Sequence, residues 1–140
     1  MKKIVSLLWL TLIFVSCSKP ISSEELIHLN GYWEISEVQT SEGDKKEFQS
    51  NNNVDFFELK DKQGVRSKVV PQLDGSTQSN NIKEHFTVVD SANATYLKYA
   101  TDYAKWSEKI DKLTTEELII INENDIKYTY KRFTPITINE

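Results

Sequence analysis

Residues 117–133 read ELIIINENDIKYTYKRF and carry the clearest secondary-structure pattern in the chain. Their first part, from Leu118 to Ile121, is an unbroken apolar run typical of a strand that is buried on both faces. Their last part, residues 125–133, alternates between two sets of side chains, as a strand with two different faces does. The polar residues 123–125 between the two parts predict a tight hairpin. We therefore expect two neighbouring antiparallel strands here.

The same reasoning predicts six further strands. Each is a short β-rich stretch bounded by polar or glycine-containing residues. They cover residues 32–40, 54–60, 64–70, 84–89, 94–101 and 105–112, with loops at 50–53 and 74–81. In the first of these strands Trp33 and Ile35 share one face, whereas Val38 falls on the other. A β-bulge is therefore expected near residues 36–37.

About eight closely spaced strands without long helical periodicity predict an all-β fold. Closing such a sheet into an antiparallel up-and-down β-barrel removes its exposed edges. A barrel of this size has an interior that is either filled by side chains or holds one small ligand. A short helical turn is expected before the first strand, with Ser23 as its cap and Asn30 and Gly31 as its end.

The N-terminal segment has the pattern of an export signal. Lys2 and Lys3 precede an apolar run over residues 4–15, which is too short for a span of about 20 residues but fits an h-region of roughly 7–15. Ser16 directly before Cys17 resembles the cleavage site of bacterial lipoproteins, in which the cysteine becomes lipidated. An ordinary secretory signal and an ordinary buried thiol are the alternatives.

The lipoprotein resemblance implies a domain organisation and a location. It divides the chain into a signal peptide (1–16), a lipidated tether (17–25), a β-barrel (26–134) and a C-terminal tail (135–140). The protein is then expected in the bacterial cell envelope, held to the membrane by lipid on Cys17. Ser18 differs from the aspartate that retains enterobacterial lipoproteins in the inner membrane, so the outer membrane is the expected location.

Composition restricts the partners of the chain. The formal net charge is −4, and removal of Lys2 and Lys3 with the signal makes it more negative. Nucleic acid is not an expected partner, because phosphate binding needs clustered Lys and Arg, and the sequence has no such cluster. Cys17 is the only cysteine, and its lipidation leaves no thiol for a disulfide.

A three-residue motif marks the start of the first long strand. Gly31-Tyr32-Trp33 follows a short apolar turn and resembles the Gly-x-Trp motif of lipocalins. Residues 106–118 and 128–132 follow in an order that resembles the small lipocalin-like domains of Bacteroidota lipoproteins. This resemblance covers residues 26–134 and implies that Arg132 packs over the motif tryptophan. The chain is shorter than true lipocalins and lacks their disulfides and later motifs.

The same residues have a direct physical interpretation. Gly31 allows a sharp turn into the strand, and Trp33 can plug one end of a barrel. Arg132 on its ring would gain about 0.5–2 kcal/mol from cation–π attraction and can donate to backbone carbonyls. These three residues are therefore expected to close the barrel. An Arg132 that is simply a solvated strand end is the alternative.

Aromatic side chains on the inward face are the candidates for ligand contact. They are Phe57, Tyr99, Trp106, Tyr128 and Tyr130. The first functional interpretation is a membrane-anchored lipocalin-like barrel that binds a small apolar or amphipathic molecule. The alternative is a barrel filled by the same side chains, which acts through its outer surface as a structural or interaction protein with an unknown partner. A cavity of several hundred Å³ favours the former.

The sequence offers little catalytic chemistry. The two histidines, His28 and His85, are expected on the surface, and no Gly-x-Ser-x-Gly elbow, glycine-rich phosphate loop or zinc-ligand spacing is present. We therefore predict no enzyme, no metal and no cofactor. An enzyme would instead require a carboxylate or histidine with a strongly shifted pKa in a cleft.

Two further positions have a possible role. Glu108 shares a strand face with Trp106, so an inward orientation would require a cationic partner for its charge, either Arg66 or Arg132. Asp90-Ser91-Ala92 resembles the acceptor for periplasmic O-glycosylation in Bacteroidota, which makes Ser91 a candidate modification site.

Overall fold

The structure is a computed structural model that describes residues 19–49 and 54–136. The signal segment, Cys17 and the loop predicted at 50–53 lie outside the described residues, as do residues 137–140. In the part of the chain that is described, no helix is long and apolar enough to cross a bilayer.

The described chain forms one closed antiparallel sheet. A short helix, α1 (Ser23–Leu26), runs into a 3-10 turn (Ile27–Leu29), and strands follow. The strands are β1 (Gly31–Gln39), β2 (Lys45–Glu47), β3 (Val54–Lys60), β4 (Gln63–Pro71), β5 (Thr77–Ser91), β6 (Ala94–Ala100), β7 (Lys105–Leu113), β8 (Glu117–Asn122) and β9 (Lys127–Phe133). From β3 onward each strand pairs with the next in chain order, and β1 pairs with both β3 and β9. The predicted up-and-down barrel of about eight strands is confirmed.

The entry helix begins one residue earlier than expected. Ser22, and not Ser23, is its N-cap. The Ser22 hydroxyl accepts the Glu25 N–H at 3.2 Å, and the Glu25 carboxylate accepts the Ser22 N–H at 2.9 Å. This capping box requires a Glu or Gln three residues after the cap, a spacing that Ser22 satisfies and Ser23 does not.

The predicted bulge in β1 is present. The pairing of β1 with β9 shifts between Ile35 and Glu37, which leaves Ser36 as the extra residue. Val38 then lies opposite Tyr128, on the inward face that Ile35 occupies before the bulge. One inserted residue therefore reconciles the imperfect alternation of the first strand with a continuous inward face.

Two features of the sheet were missed. Strand β2 was not predicted because its residues, 45–47, are all charged and exposed, so they carry no apolar alternation. It pairs with the end of β1, beside the section of β1 that pairs with β3. Strand β5 begins at Thr77. The sequence predicted a strand only over residues 84–89 and a loop over residues 74–81. The polar first residues of β5 pair with the end of β4 through the backbone, which needs no apolar pattern.

The two ends of the barrel differ. At one end α1 and the 3-10 turn lie against the core through Leu26 and Leu29, which are buried. Ile21 also packs on this core, and its N–H donates to Thr95 Oγ1 at 2.8 Å. We call this the closed end. The other end, bounded by the turn between β8 and β9, contains a pocket, and we call it the open end.

Candidate functional site

The closed end is built around Trp33, which is completely buried. Its indole Nε1 donates to the carbonyl of Leu29 at 2.8 Å, so the strand is fixed to the 3-10 turn that precedes it. The guanidinium carbon of Arg132 lies 3.8 Å from the centroid of the Trp33 ring. Arg132 is therefore in the position that the lipocalin resemblance implies.

The guanidinium of Arg132 joins strand β9 to two other backbone segments, the turn between β7 and β8 and the entry turn before β1. It donates to the carbonyls of Thr115 (2.8 Å), Asn30 (2.7 Å) and His28 (2.5 Å). Gly31 makes this approach possible, because its φ is +115° and a Cβ there would lie 2.8 Å from Arg132 Nη1. The closed end is therefore a structural seal.

A row of aromatic rings fills the barrel above the seal. Ring centroids are 6.1 Å apart for Phe57 and Phe86, 5.3 Å for Phe86 and Tyr99, and 4.9 Å for Tyr99 and Trp106. The Tyr99 and Trp106 rings are nearly parallel, at 6°. Phe57 and Tyr99 are buried in the core, whereas Trp106 is only partly buried. The interior is thus solid from the seal to Tyr99.

A pocket of about 360 Å³ remains at the open end. We call it the mouth pocket. Its lining residues are Ile35, Asp55, Arg66, Lys68, Trp106, Ser107, Glu108, Ile120, Asn122, Glu123, Asn124, Tyr128 and Tyr130. Of the five candidate ligand residues, Trp106, Tyr128 and Tyr130 line this pocket. Phe57 and Tyr99 lie beneath it and do not.

The floor of the mouth pocket is charged. Arg66 Nη1 lies 3.2 Å from both carboxylate oxygens of Glu108, and Nη2 lies 2.8 Å from Glu84 Oε2. The side chains of Arg66, Glu108 and Glu84 are only 11%, 12% and 21% exposed. Glu108 therefore points inward, and its partner is Arg66; Arg132 lies in the seal. We call these three residues the buried triad.

Burial and pairing shift the pKa values of Glu108 and Arg66. Burial raises the pKa of Glu108 above its ordinary value, although the Arg66 charge opposes the increase. Burial also lowers the pKa of Arg66, but Tyr99, Glu108 and the other nearby acidic groups outweigh it and raise the pKa overall. Arg66 therefore stays cationic, and ionised Glu108 is held against a desolvation penalty.

A second ion pair lies beside the triad. Lys68 Nζ is 2.8 Å from Oδ1 of Asp55, whose side chain is buried while that of Lys68 is half exposed. Asp55 and Glu84 were not identified from the sequence. The alternation of inward and outward side chains along a strand could have identified both as inward. Asp55 is two residues from inward Phe57, and Glu84 is two residues from inward Phe86.

Two buried polar atoms under the mouth pocket have no hydrogen-bond partner in the described part of the chain. They are Arg66 Nε and the Tyr99 hydroxyl oxygen. The two side chains are in contact, since the guanidinium carbon of Arg66 lies 4.6 Å from the Tyr99 ring centroid. Both atoms are buried from solvent, so they lie beneath the surface that lines the pocket.

The other candidate positions lie away from the mouth pocket. His85 is exposed, and His28 is partly exposed at the closed end, where its carbonyl accepts from Arg132. Ser91 is exposed at the end of β5, beside the turn at Ala92 and Asn93. Across residues 19–49 and 54–136, no three His, Cys, Asp or Glu side chains form a group that could hold a metal ion.

An antiparallel barrel with strands in chain order, an N-terminal 3-10 turn and a tryptophan–arginine seal is a lipocalin-like fold. Two solved structures are similar to this chain. One is a lipocalin-like protein from Bacteroides uniformis, with 14% identity and a TM-score of 0.46 over 76% of this chain and 99% of that one. The other is an uncharacterized protein from Bacteroides eggerthii, with 11% identity and a TM-score of 0.47 over 75% and 99%. No protein-family model and no curated protein matches the sequence.

Proposed function

We propose that this protein binds a small amphipathic molecule in the mouth pocket. The observation that carries the proposal is the combination of partly buried aromatic rings and buried polar groups around one opening. Its volume of about 360 Å³ lies within the range of roughly 300–1,000 Å³ that is usual for small-molecule sites. Trp106 and Tyr128 offer apolar surface, and Arg66 and Glu108 offer hydrogen bonds.

The filled lower half of the barrel limits the size of the ligand. The buried rings from Phe57 to Tyr99 occupy part of the interior that a long chain would need. The ligand is therefore short, and its apolar part rests against Trp106 near the rim. Its polar part faces the buried triad.

Native mass spectrometry of the full chain, purified from a bacterial host that exports it, tests this function. We expect a discrete small-molecule mass that leaves on denaturation. Trp106→Ala should lose it, because the ring forms part of the pocket wall. Lys98→Ala, at an exposed position on the neighbouring strand β6, is the matched control and should keep it. A chain that remains free of ligand after exposure to envelope lipid extract contradicts the proposal.

An interaction protein without a ligand is the second candidate. Apart from the solid core, it is favoured by two apolar side chains at hairpin tips around the open end, Leu73 and Tyr103, which are 96% and 97% exposed. If this candidate is correct, Leu73→Ser combined with Tyr103→Ser should abolish co-purification of a specific envelope protein. Trp106→Ala should leave that co-purification unchanged.

We also propose that the chain is anchored to the bacterial envelope, in the outer membrane, by lipid on Cys17. The pattern of residues 1–18 supports this proposal. Ile21 is hydrogen-bonded to Thr95, so only residues 18–20 would separate the lipid from the barrel. Cys17→Ala tests the anchor. This variant should lose its acyl mass and should no longer be found in the membrane fraction. Equal acylation of both proteins would contradict it.

A further inference from the structure

The chain that precedes the entry helix is fastened to the closed end of the barrel. The Ile21 N–H donates to Thr95 Oγ1 at 2.8 Å, and the Thr95 hydroxyl donates to Asp90 Oδ1 at 2.8 Å. Thr95 is almost completely buried, and Ile21 packs on the core. Asp90 and Thr95 are paired beside the turn between β5 and β6, at the closed end. Any tether that runs from Cys17 to Ile21 therefore meets the barrel at this end.

We infer that the closed end rests on the surface of a lipid bilayer, with Ile27 in contact with the lipid, and that the mouth pocket opens away from the bilayer. This rests on the proposed lipid anchor at Cys17 and identifies the surface of the barrel that the anchor brings to the membrane. Two observations carry it, the short tether fixed at Ile21 and the exposed apolar side chains at the same end.

The tether is too short for the barrel to stand on the bilayer with its open end. Cys17 and Ile21 are four residue steps apart, and an extended chain covers at most about 3.3–3.6 Å per residue, or about 14 Å in total. Strand β7 has nine residues; at about 3.3 Å per residue and a tilt of about 40°, it spans about 20 Å along the barrel axis. Exposed Leu73 and Tyr103 at the open end are therefore out of reach of the bilayer in an upright barrel.

Exposed apolar side chains lie at the end that the tether does bring to the lipid. Ile27 in the 3-10 turn is 66% exposed. It borders a pocket of about 430 Å³ between the entry helix and the turn that joins β3 to β4, together with Leu26, Leu59 and Lys62. Ile136, three residues beyond the end of β9, is 69% exposed as well. Such side chains gain free energy when they leave water for the membrane interface.

The closed end has no basic patch among the described residues. Exposed Glu24 and Glu25 begin α1, and Asp61 precedes Lys62 in the turn between β3 and β4. Attraction to anionic headgroups needs clustered Lys and Arg. The acyl anchor and Ile27 therefore hold the contact without help from lipid charge, and a bilayer of phosphatidylcholine is sufficient for it.

This orientation determines how a ligand reaches the mouth pocket. With the closed end on the bilayer, the rim at the turn between β8 and β9 lies about 20 Å above the lipid surface. The ligand of the proposed function then enters from the aqueous side, and lateral diffusion within the membrane does not deliver it.

Fluorescent labels at two exposed turns test the orientation. Lys62→Cys places a thiol at the closed end and Asp102→Cys places one at the open end; lipid occupies Cys17, so each acylated variant carries one reactive thiol. The full chain is expressed in a bacterial host that exports it, labelled with NBD and reconstituted in phosphatidylcholine vesicles that contain nitroxide-labelled phosphatidylcholine. Quenching at position 62 should be at least about twofold stronger than at position 102, because only the closed end reaches the interface.

Ile27→Ser in the Lys62→Cys chain tests the apolar contact itself. It should lower the quenching at position 62, because the side chain that holds this turn at the interface is lost. Ile82→Ser is the matched control, since Ile82 is 63% exposed but lies on β5, away from the closed end. It should leave the quenching unchanged. All of these positions are exposed, so the substitutions leave the core intact.

The acyl mass of the protein and its flotation with the vesicles report the anchor separately from the orientation. A chain without acyl mass contradicts the proposed anchor, and the inference falls with it. Equal quenching of an acylated chain at both positions means that the barrel lies on its side, and stronger quenching at position 102 means that the open end faces the lipid. Either result overturns the inference and leaves the anchor in place. Quenching at position 62 that Ile27→Ser does not change also overturns it, because the contact then does not involve Ile27.

Discussion

Arg66 and Glu108 lie on strands that are not neighbours, β4 and β7, and their side chains meet across the barrel interior at 3.2 Å. The second partner of Arg66, Glu84, lies directly opposite it on the adjacent strand β5. One guanidinium therefore links three strands below the open end. Such a buried link adds little net stability when it is compared with an apolar core, but removing one partner leaves a charge unpaired.

The raised pKa of Glu108 predicts a pH-dependent stability difference. Because the folded state binds this proton more tightly than the unfolded state, ionising Glu108 costs folding free energy, and the cost develops as pH rises above the ordinary value of 4.5. Urea unfolding of Glu108→Gln and of the unmodified chain at pH 4 and pH 7 should show the variant gaining relative stability at the higher pH. Glu58→Gln, at an exposed position of β3, should show no such gain, and a relative loss for Glu108→Gln would contradict the assignment.

Trp33→Ala tests the seal at the closed end. Trp33 is fully buried and holds both Leu29 and Arg132, so its truncation should lower the free energy of unfolding by about 3–5 kcal/mol. Chemical denaturation measures this change directly. The exposed Tyr103 offers a control, since Tyr103→Ala should be close to neutral. A loss below about 1 kcal/mol for Trp33→Ala would exclude the role as a plug.

Gly31 and Arg132 should be energetically coupled. A Cβ at Gly31 would lie 2.8 Å from Arg132 Nη1, and the φ of +115° is unfavourable for any side chain. Gly31→Ala should therefore destabilise the barrel by about 1–3 kcal/mol from backbone strain, with a further loss from the displaced guanidinium. In a double-mutant cycle with Arg132→Ala, the second part should disappear while the strain remains. Strict additivity would show that the two residues act independently.

The turn between β5 and β6 offers a stabilising substitution. Ala92 and Asn93 both have positive φ, at +49° and +59°, and alanine is poorly suited to the first of these positions. Ala92→Gly should raise the free energy of unfolding by about 0.5–1 kcal/mol, because it relieves this strain. Ala94→Gly, two residues later in β6, should instead be destabilising. Equal effects of the two variants would exclude the turn geometry as the cause.

The strands with alternating side chains could be predicted because apolar residues recur at every second position where one face of the strand is buried. The spacing of about eight short strands predicted the barrel, the clean alternation of residues 125–133 predicted its last strand, and the displaced Val38 predicted the bulge in β1. Strand β2 and the first residues of β5 follow a different rule. They form by backbone pairing alone at exposed positions, so hydrophobic periodicity gives no indication of them.

The mouth pocket was less accessible to sequence analysis. Alternation identifies which side chains point inward, but it does not tell how deep they lie along the barrel axis. Phe57 and Trp106 therefore looked equivalent, although one is in the core and the other at the rim. The partner of Glu108 was also undecided, because the contact with Arg66 joins strands 42 residues apart in the chain.

The pairing of β1 with β9 has a consequence for how the fold is encoded. Tyr32 near the beginning of β1 lies opposite Phe133 at the end of β9, and a linker from the end of β9 to the start of α1 would close the chain while keeping the entry helix that the seal needs. The turn at residues 72–76, at the far tip of the β4–β5 hairpin, could then be cut open without removing a rung of the barrel. The sequence therefore specifies the order of neighbouring strands around a closed ring. The turn at which the chain is opened is interchangeable.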